Sequence, residues 1–462
     1  MALSQKEIVP NFHLALPALG GRSRFLSVVT FLVLGLAFIS RGHSVDNWPD
    51  FRGPEGQGHA GTTDLPVDWD NPKNTIWKTE IPGRGWSSPV ILNGQVWLTT
   101  ALETEGSEEL RKRKLTDDPF AGSKDVIQSV SLCAIGIDLY TGEVLHNIEL
   151  ASVDEPEPIH SLNSYASPTS VLQHDRLYCH FGTFGTFCID VQAGKILWRQ
   201  RLEEKHSVGP GSSPFLVDQL LILTCDGIED QFVAALDTAS GEVVWRTNRP
   251  PLTGDDGEQH KAFCTPILVE STMGRQLFVP GAQWAVAYQP QTGKEIWRVR
   301  HGRGFSIVPR PVAADGLVYI YTGFAGNGLF ALRTDGQGDV TDSHIVWNQD
   351  GIASTRPSSV LVDRRLYTVT ESGVASCIHA ETGEVVWRKR LGGNFSASLL
   401  YTANQIYAFS EEGKVTVFRP GDDYYELQKH DLAEGVMASP AVSGNSIVFR
   451  SKSFLYRIGR PD

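Results

Sequence analysis

Seven polar side chains stand beside or inside short runs of small residues that recur through the chain: His160, Asn163, Tyr165, His206, Arg310, Arg356 and Asn394. Imidazole, guanidinium, amide and phenol groups brought together would bind a small polar or anionic ligand through directed hydrogen bonds. The same groups would equally fill a narrow passage by bonding to one another and to water. Both readings stand at the level of the sequence. Two arginines in one confined space repel unless an anion, a carboxylate or water offsets them. No catalytic residue and no metal ligand is assigned, since HExxH, CxxC, GxSxG and phosphate-loop patterns are absent. The acidic run 335–342 has oxygen ligands at a spacing that Ca²⁺ could use, but it lacks the fixed ligand pattern and reads as a long hairpin turn. Asp255, Asp256 and Glu258 read as a solvated surface connection.

The elements that must position these residues are repeats. TGEVVW stands at 382–387 and SGEVVW at 240–245, with AGKILW (193–198), TGKEIW (292–297) and TGEVLH (141–146) as variants. Each copy has a second anchor of small residues ending at or near Pro, and the chain holds eight of these: SSP (87–89), ASP (166–168), SSP (212–214), CTP (264–266), RP (310–311), RP (356–357), SAS (396–398) and ASP (438–440). After the first interval, lengthened by an insertion near 103–129, they recur at about 41 to 52 residues. Within a unit the pattern gives four short strands separated by Asp, Asn and Gly turns, without helical periodicity. This predicts an all-β fold, an eight-bladed β-propeller of four-stranded blades. Small residues suit inner strands converging on a central channel, and Trp suits the wide outer wedge between blades. The last unit stops one strand short. NTIWKTEIP (74–82), which has a Trp and no strands of its own before it, is predicted to close that blade.

The domain reading is a signal peptide or N-terminal anchor over 1–44, a lead-in segment over 45–73, and the propeller over 74–462. Arg22 and Arg24 precede an apolar run and then Gly42-His43-Ser44, a pattern of export with cleavage after Ser44. An uncleaved segment would instead associate the chain with the inner membrane; either way the propeller is exported to the periplasm or beyond. A net charge of −12 without a clustered basic face excludes nucleic acid as a partner class. Cys179 and Cys188, if the hairpin turns at Thr183-Phe184, would lie opposite each other as neighbouring thiols or as a disulfide. The expected state is a monomer whose partner is a protein or a small polar ligand.

The ALDxxTGxxxW repeat resembles that of the quinoprotein dehydrogenases and the related PQQ-like propellers, over roughly 74–459. WPDFRGPEGQG (48–58), FGTFGTFCID (181–190) and FLYRIG (454–459) are similar to segments of exported planctomycete-type members. The resemblance implies a fold shared by enzymes and by scaffolds of outer-membrane protein assembly. In the dehydrogenases it implies PQQ held under adjacent cysteines, with acidic and amide ligands to Ca²⁺ and an Asp base. This chain has no Cys-Cys dipeptide. The expectation is therefore a binding or protein-interaction scaffold without a cofactor and not an enzyme. A PQQ- and calcium-dependent dehydrogenase and an envelope assembly scaffold stand as the alternatives.

Overall fold

The computed structural model describes residues 47–61, 65, 68–69, 72–326, 328–352 and 354–460. The signal or anchor reading for 1–44 lies outside them. Among the described residues no helix is long and apolar enough to cross a membrane.

Eight antiparallel sheets surround an axis, as the repeat predicts. We number the blades by their inner strands, which begin at Val90, Val171, Phe215, Ile267, Val312, Val360, Leu400 and Ala441. Blade 8 takes its outer strand from the N-terminal side. Thr75–Glu80 pairs antiparallel with Phe454–Gly459, Thr79 opposite Leu455 and Glu80 opposite Phe454. That pairing covers the edge of Phe454–Gly459 and completes the eighth blade.

The recurrent Gly and Trp lock successive blades. Trp77, on the outer strand of blade 8, donates its indole N–H to the Leu139 carbonyl of blade 1 at 2.7 Å. Trp198 does the same to Thr238, Trp245 to Pro290, Trp347 to Ala380 and Trp387 to Gly421, each in the next blade. For Trp77, Trp198, Trp245 and Trp347 a turn glycine near the carbonyl is what admits the indole. Gly241 has φ +76° and a Cβ there would stand 2.6 Å from Trp198; Gly383 has φ +75° and would meet Trp347 at 2.7 Å. The expected burial holds for Trp245 and Trp297. Trp198 and Trp387 are half-buried. Trp297 keeps its N–H within its own blade, on Gln276 Oε1 at 2.8 Å.

Three sequence readings need correction. The 103–129 insertion extends two long strands, Gln95–Glu105 and Ile127–Asp138, and carries a helix, Glu108–Leu115, that periodicity did not predict. Ser107 caps that helix, and Leu110, Leu115 and Val126 form its small core. The run 335–342 is the expected hairpin connection, but its Gly338–Asp339 also adds a short parallel fifth strand to blade 4. Finally, Phe187 faces Cys179 and Cys188 faces Tyr178, so the two thiols point to opposite sides of the sheet and are not neighbours across the hairpin. All six cysteines are buried and free.

Candidate functional site

The inner strands approach the axis through two tiers of side chains spaced two residues apart, the period that keeps residues on one face of a strand. The lower tier is mostly hydroxyl. The backbone N–H of Ser88 donates to Thr169 Oγ1 at 2.9 Å, Thr169 to Ser213 Oγ at 2.9 Å and Ser213 to Thr265 Oγ1 at 3.0 Å. The relay resumes from Arg310 to Ser358 Oγ at 2.9 Å, Ser358 to Ser398 Oγ at 3.1 Å and Ser398 to Ser439 Oγ at 2.9 Å. Each bond ties one blade to the next. Two residues earlier in each blade lies the upper tier: Trp86, Ser167, Gly211, Phe263, Val308, Arg356, Ser396 and Met437, all of which line a cavity on the axis.

This register corrects the sequence alignment of the anchors. The hydroxyl precedes Pro in blades 1, 3, 4 and 8 but follows it in blades 2 and 6. Arg310 and Arg356, each before a Pro, are thus not equivalent: Arg310 replaces a hydroxyl of the lower tier and Arg356 belongs to the upper one.

Beneath the lower tier the chain plugs its own channel. Trp48 exchanges backbone bonds with Ile91 of blade 1, and the Pro49 carbonyl accepts from Leu172 N of blade 2 at 2.8 Å. Asp50 Oδ2 lies 3.1 Å from Arg310 Nη2, while Arg310 Nη1 donates to the Phe51 carbonyl. Arg52 donates to the Ser359 carbonyl of blade 6, Gln57 Oε1 accepts from Ala313 N of blade 5, and Gly58 O accepts from Tyr401 N of blade 7. Arg52 and Arg310 are buried, whereas the Phe51 ring faces up as the cavity floor. The cavity, about 720 Å³, is therefore a blind funnel.

Six of its lining residues are Phe or Trp, and its two cations, Arg356 and Lys261, each face a carboxylate. Phe305 and Phe324, from blades 4 and 5, exchange backbone bonds at 3.1 and 2.9 Å, and their rings lie 6.3 Å apart. Trp86 is held by its indole N–H on the Leu162 carbonyl at 3.1 Å. Arg356 Nη1 stands 3.0 Å from Glu411 Oε1. Lys261 donates to Ser207 Oγ at 2.9 Å and pairs with Glu258. Asp256 caps the turn Gly257–Gln259. Asp256 and Glu258 line the funnel, so this loop is part of the wall and not simply a solvated connection. The blade 1 insertion reaches the rim, where Lys124–Asp125 pairs with Ile159–His160 and Phe120 stands half exposed over the mouth.

Of the seven candidate residues, His160, Asn163 and Arg356 line the funnel. Asn163 is structural within it: its amide donates to the Val208 and Pro210 carbonyls and its oxygen accepts from Ser164 N and Ser167 Oγ. His160 Nδ1 accepts from Leu162 N at 3.1 Å, and burial, then the Arg356 charge, lowers its pKa. Tyr165 is buried beside the funnel with its hydroxyl on the Glu157 carbonyl. His206 is buried between blades, accepts from Thr183 N at 3.2 Å, and is lowered by burial to about 4. Arg310 belongs to the plug, and Asn394 pairs with Glu412 at an exposed loop. The plug itself, the hydroxyl tier and the aromatic rim went unread. The one signal for them was the glycine-dense stretch 53–58, where Gly56 and Gly58 have positive φ and a Cβ would strike Arg310 and Arg52.

The chain matches the family model described as outer membrane protein assembly factor BamB over 137–255, 229–359 and 281–454. The BamB structure from Moraxella catarrhalis superposes with a TM-score of 0.51 at 13% identity, covering 71% of this chain and 94% of that one. A quinohemoprotein alcohol dehydrogenase from Comamonas testosteroni superposes with 0.64 at 11% identity, covering 90% and 81%. A 1-butanol dehydrogenase (quinone) from Thauera butanivorans is 28% identical over 141 residues, 28% of this chain and 22% of the dehydrogenase. The chain thus matches only about a fifth of the length of that curated relative. The funnel's residues do not fit a quinone held with calcium. No cysteine lines it, and among the described residues no group of three His, Cys, Asp or Glu side chains could hold a metal ion.

Proposed function

We propose, from the premise that the chain belongs to the PQQ-like propeller family described as outer membrane protein assembly factor BamB, that it is a binding scaffold of the bacterial envelope. Its ligand sits in the axial funnel, and no quinone chemistry takes place there. The observation that carries this reading is the blind funnel: residues 48–58 seal one end, and Phe120, Leu162 and Phe324 remain about half exposed at the other. Exposed rings fixed by backbone bonds at a concave mouth are characteristic of a surface that meets a partner. The fold by itself favours neither binding nor catalysis, because the same propeller serves both.

The test uses the full chain and a neutral fluorescent probe of apolar cavities, N-phenyl-1-naphthylamine. The probe should bind with enhanced emission, and Phe305→Ala with Phe324→Ala should abolish that emission while the melting temperature stays close to that of the parent. PQQ with Ca²⁺ should give neither tight binding nor dye-linked alcohol oxidation. Oxidation dependent on both would replace this reading with the dehydrogenase alternative. An assembly scaffold is favoured by the family description and by aliphatics left exposed on the outer strands, among them Leu145, Leu197 and Val244. Cross-linking from those strands to another envelope protein, with the funnel dispensable, would establish it.

A further inference from the structure

We infer that the funnel takes a neutral carbohydrate, with the ring faces of a glycan end lying on the aromatic wall and its hydroxyls meeting the hydroxyl tier. This rests on the funnel being the binding site and specifies what enters it.

The first argument is charge. The cations of the wall are already engaged: Arg356 with Glu411, and Lys261 with Glu258 and Ser207. Below the floor, Arg310 is engaged by Asp50 and by the Phe51 carbonyl. An anionic ligand at Arg356 or Lys261 would compete with a carboxylate that is in place. The other two carboxylates of the wall, Asp256 and Glu371, already accept backbone N–H groups from Glu258 and Thr355, and the remaining groups are neutral.

The second argument is hydrogen-bonding capacity. Thr169, Ser213, Thr265, Ser398 and Ser439 each accept a backbone N–H from the preceding blade. A hydroxyl has one donor and two lone pairs. With one lone pair used, each retains an O–H and a second lone pair, and no protein partner for either occurs among the described residues. All five line the funnel. A ring of groups that both donate and accept matches another set of hydroxyls. It suits a carboxylate or phosphate less well, because such a head only accepts and brings charge that the wall does not call for.

The third argument is the wall. Phe305 and Phe324 are fixed by their backbone bridge, and Trp86 by its bond to Leu162. Flat, rigid aromatic faces above the hydroxyl tier suit a ring that carries C–H bonds on its faces and hydroxyls around its edge. An extended apolar peptide would cover the rings but leave the hydroxyl tier without partners, at a cost for each buried group.

The experiment measures displacement of the bound dye and direct titration calorimetry with cellohexaose and N-acetylchitohexaose, with trigalacturonate as the charged counterpart. At least one neutral glycan should displace the dye with an affinity unchanged between low and 0.5 M salt, and trigalacturonate should bind at least tenfold more weakly. Phe324→Ala, an exposed position that leaves the fold intact, should weaken the glycan at least tenfold. Thr169→Val, which removes one hydroxyl and keeps its shape, should weaken it severalfold. Far-ultraviolet circular dichroism and the melting temperature of each variant exclude misfolding as the cause. If the dye binds in the funnel but neutral glycans fail while trigalacturonate or an apolar peptide displaces it, the carbohydrate inference is overturned and the funnel reading stands. If the aromatic variants leave dye binding unchanged, the funnel reading itself falls.

Discussion

Arg310 and Asp50 are 260 residues apart in sequence, and their guanidinium and carboxylate meet at 3.1 Å beneath the axis of the propeller. The pair joins the lead-in segment to blade 5 and fixes the Phe51 carbonyl between them. Burial raises the Asp50 carboxyl, and Arg310 pulls it back only in part. Removing one partner therefore leaves a buried group without compensation. Asp50→Asn or Arg310→Met should each cost about 3–5 kcal/mol, and the double variant should cost clearly less than the sum. Urea midpoints of the four proteins check this. Strict additivity would mean that the pair does not hold the plug.

The indole clasps predict a graded series. Trp245 is buried with its N–H on the Pro290 carbonyl, so Trp245→Ala should cost about 3–5 kcal/mol. Trp198 makes the same bond to Thr238 but is only half-buried, and its replacement should cost less. Gly241→Ala should match or exceed the Trp198 loss, because the new methyl would enter the indole at a backbone φ of +76°. Chemical denaturation followed by circular dichroism ranks the three. A larger effect at Trp198 than at Trp245 would contradict the burial argument.

The blades were legible because their marks are local. Gly in a tight turn with Trp four residues later recurs at 194/198, 241/245, 293/297 and 383/387, where both belong to the packing of neighbouring blades. The closing strand was legible for the same reason, since 74–82 carries a Trp with nothing before it to form a blade. The register of the inner strands was not. Pro catches the eye, but what is repeated is the hydroxyl that accepts an N–H from the neighbouring blade, and in blades 2 and 6 it lies on the other side of Pro. That shift separated Arg310 from Arg356. The plug was hidden because each of its partners, Ile91, Leu172, Arg310, Ser359 and Tyr401, is supplied by a different blade. Nothing within 48–58 announces them except glycines. His206 and Tyr165 stand near the anchors in sequence, yet their side chains turn into the interblade packing.

Closure of the ring makes a further prediction. Thr75–Glu80 supplies the whole outer strand of blade 8, and Trp77 extends it to the Leu139 carbonyl. Deleting residues 74–82 would expose the edge of Phe454–Gly459 and empty the clasp on blade 1. The shortened chain should aggregate or melt well below the parent. Adding the 74–82 segment as a separate peptide should restore part of the loss, since the strand acts only by pairing. An unchanged melting temperature in the deletion would refute closure by this strand.

Buried ionisable groups give the stability a maximum in pH. Burial lowers His180 to about 3 and His59, His206 and His301 to about 4. Each folds neutral, while the unfolded chain protonates near pH 6.5. Their shared contribution is complete above that value and is lost as pH falls toward 4. Glu204 runs the other way. Burial, reinforced by the nearby Asp226 charge, raises it from 4.5 to about 8, so its folded form holds a proton that the unfolded chain has released. Stability from this group is complete below about pH 4.5 and declines as pH rises to 8. Although Glu204 Oε1 lies 3.7 Å from His206 Nδ1, both are neutral at pH 6.5 and form no ion pair there. Thermal unfolding from pH 4 to 9 should therefore peak near pH 6.5. Glu204→Gln should flatten the alkaline limb and leave the acid limb in place. His206→Gln should soften the acid limb alone. If the Glu204 variant kept the full alkaline decline, Glu204 would already be ionised in the folded protein, and the limb would belong to other groups.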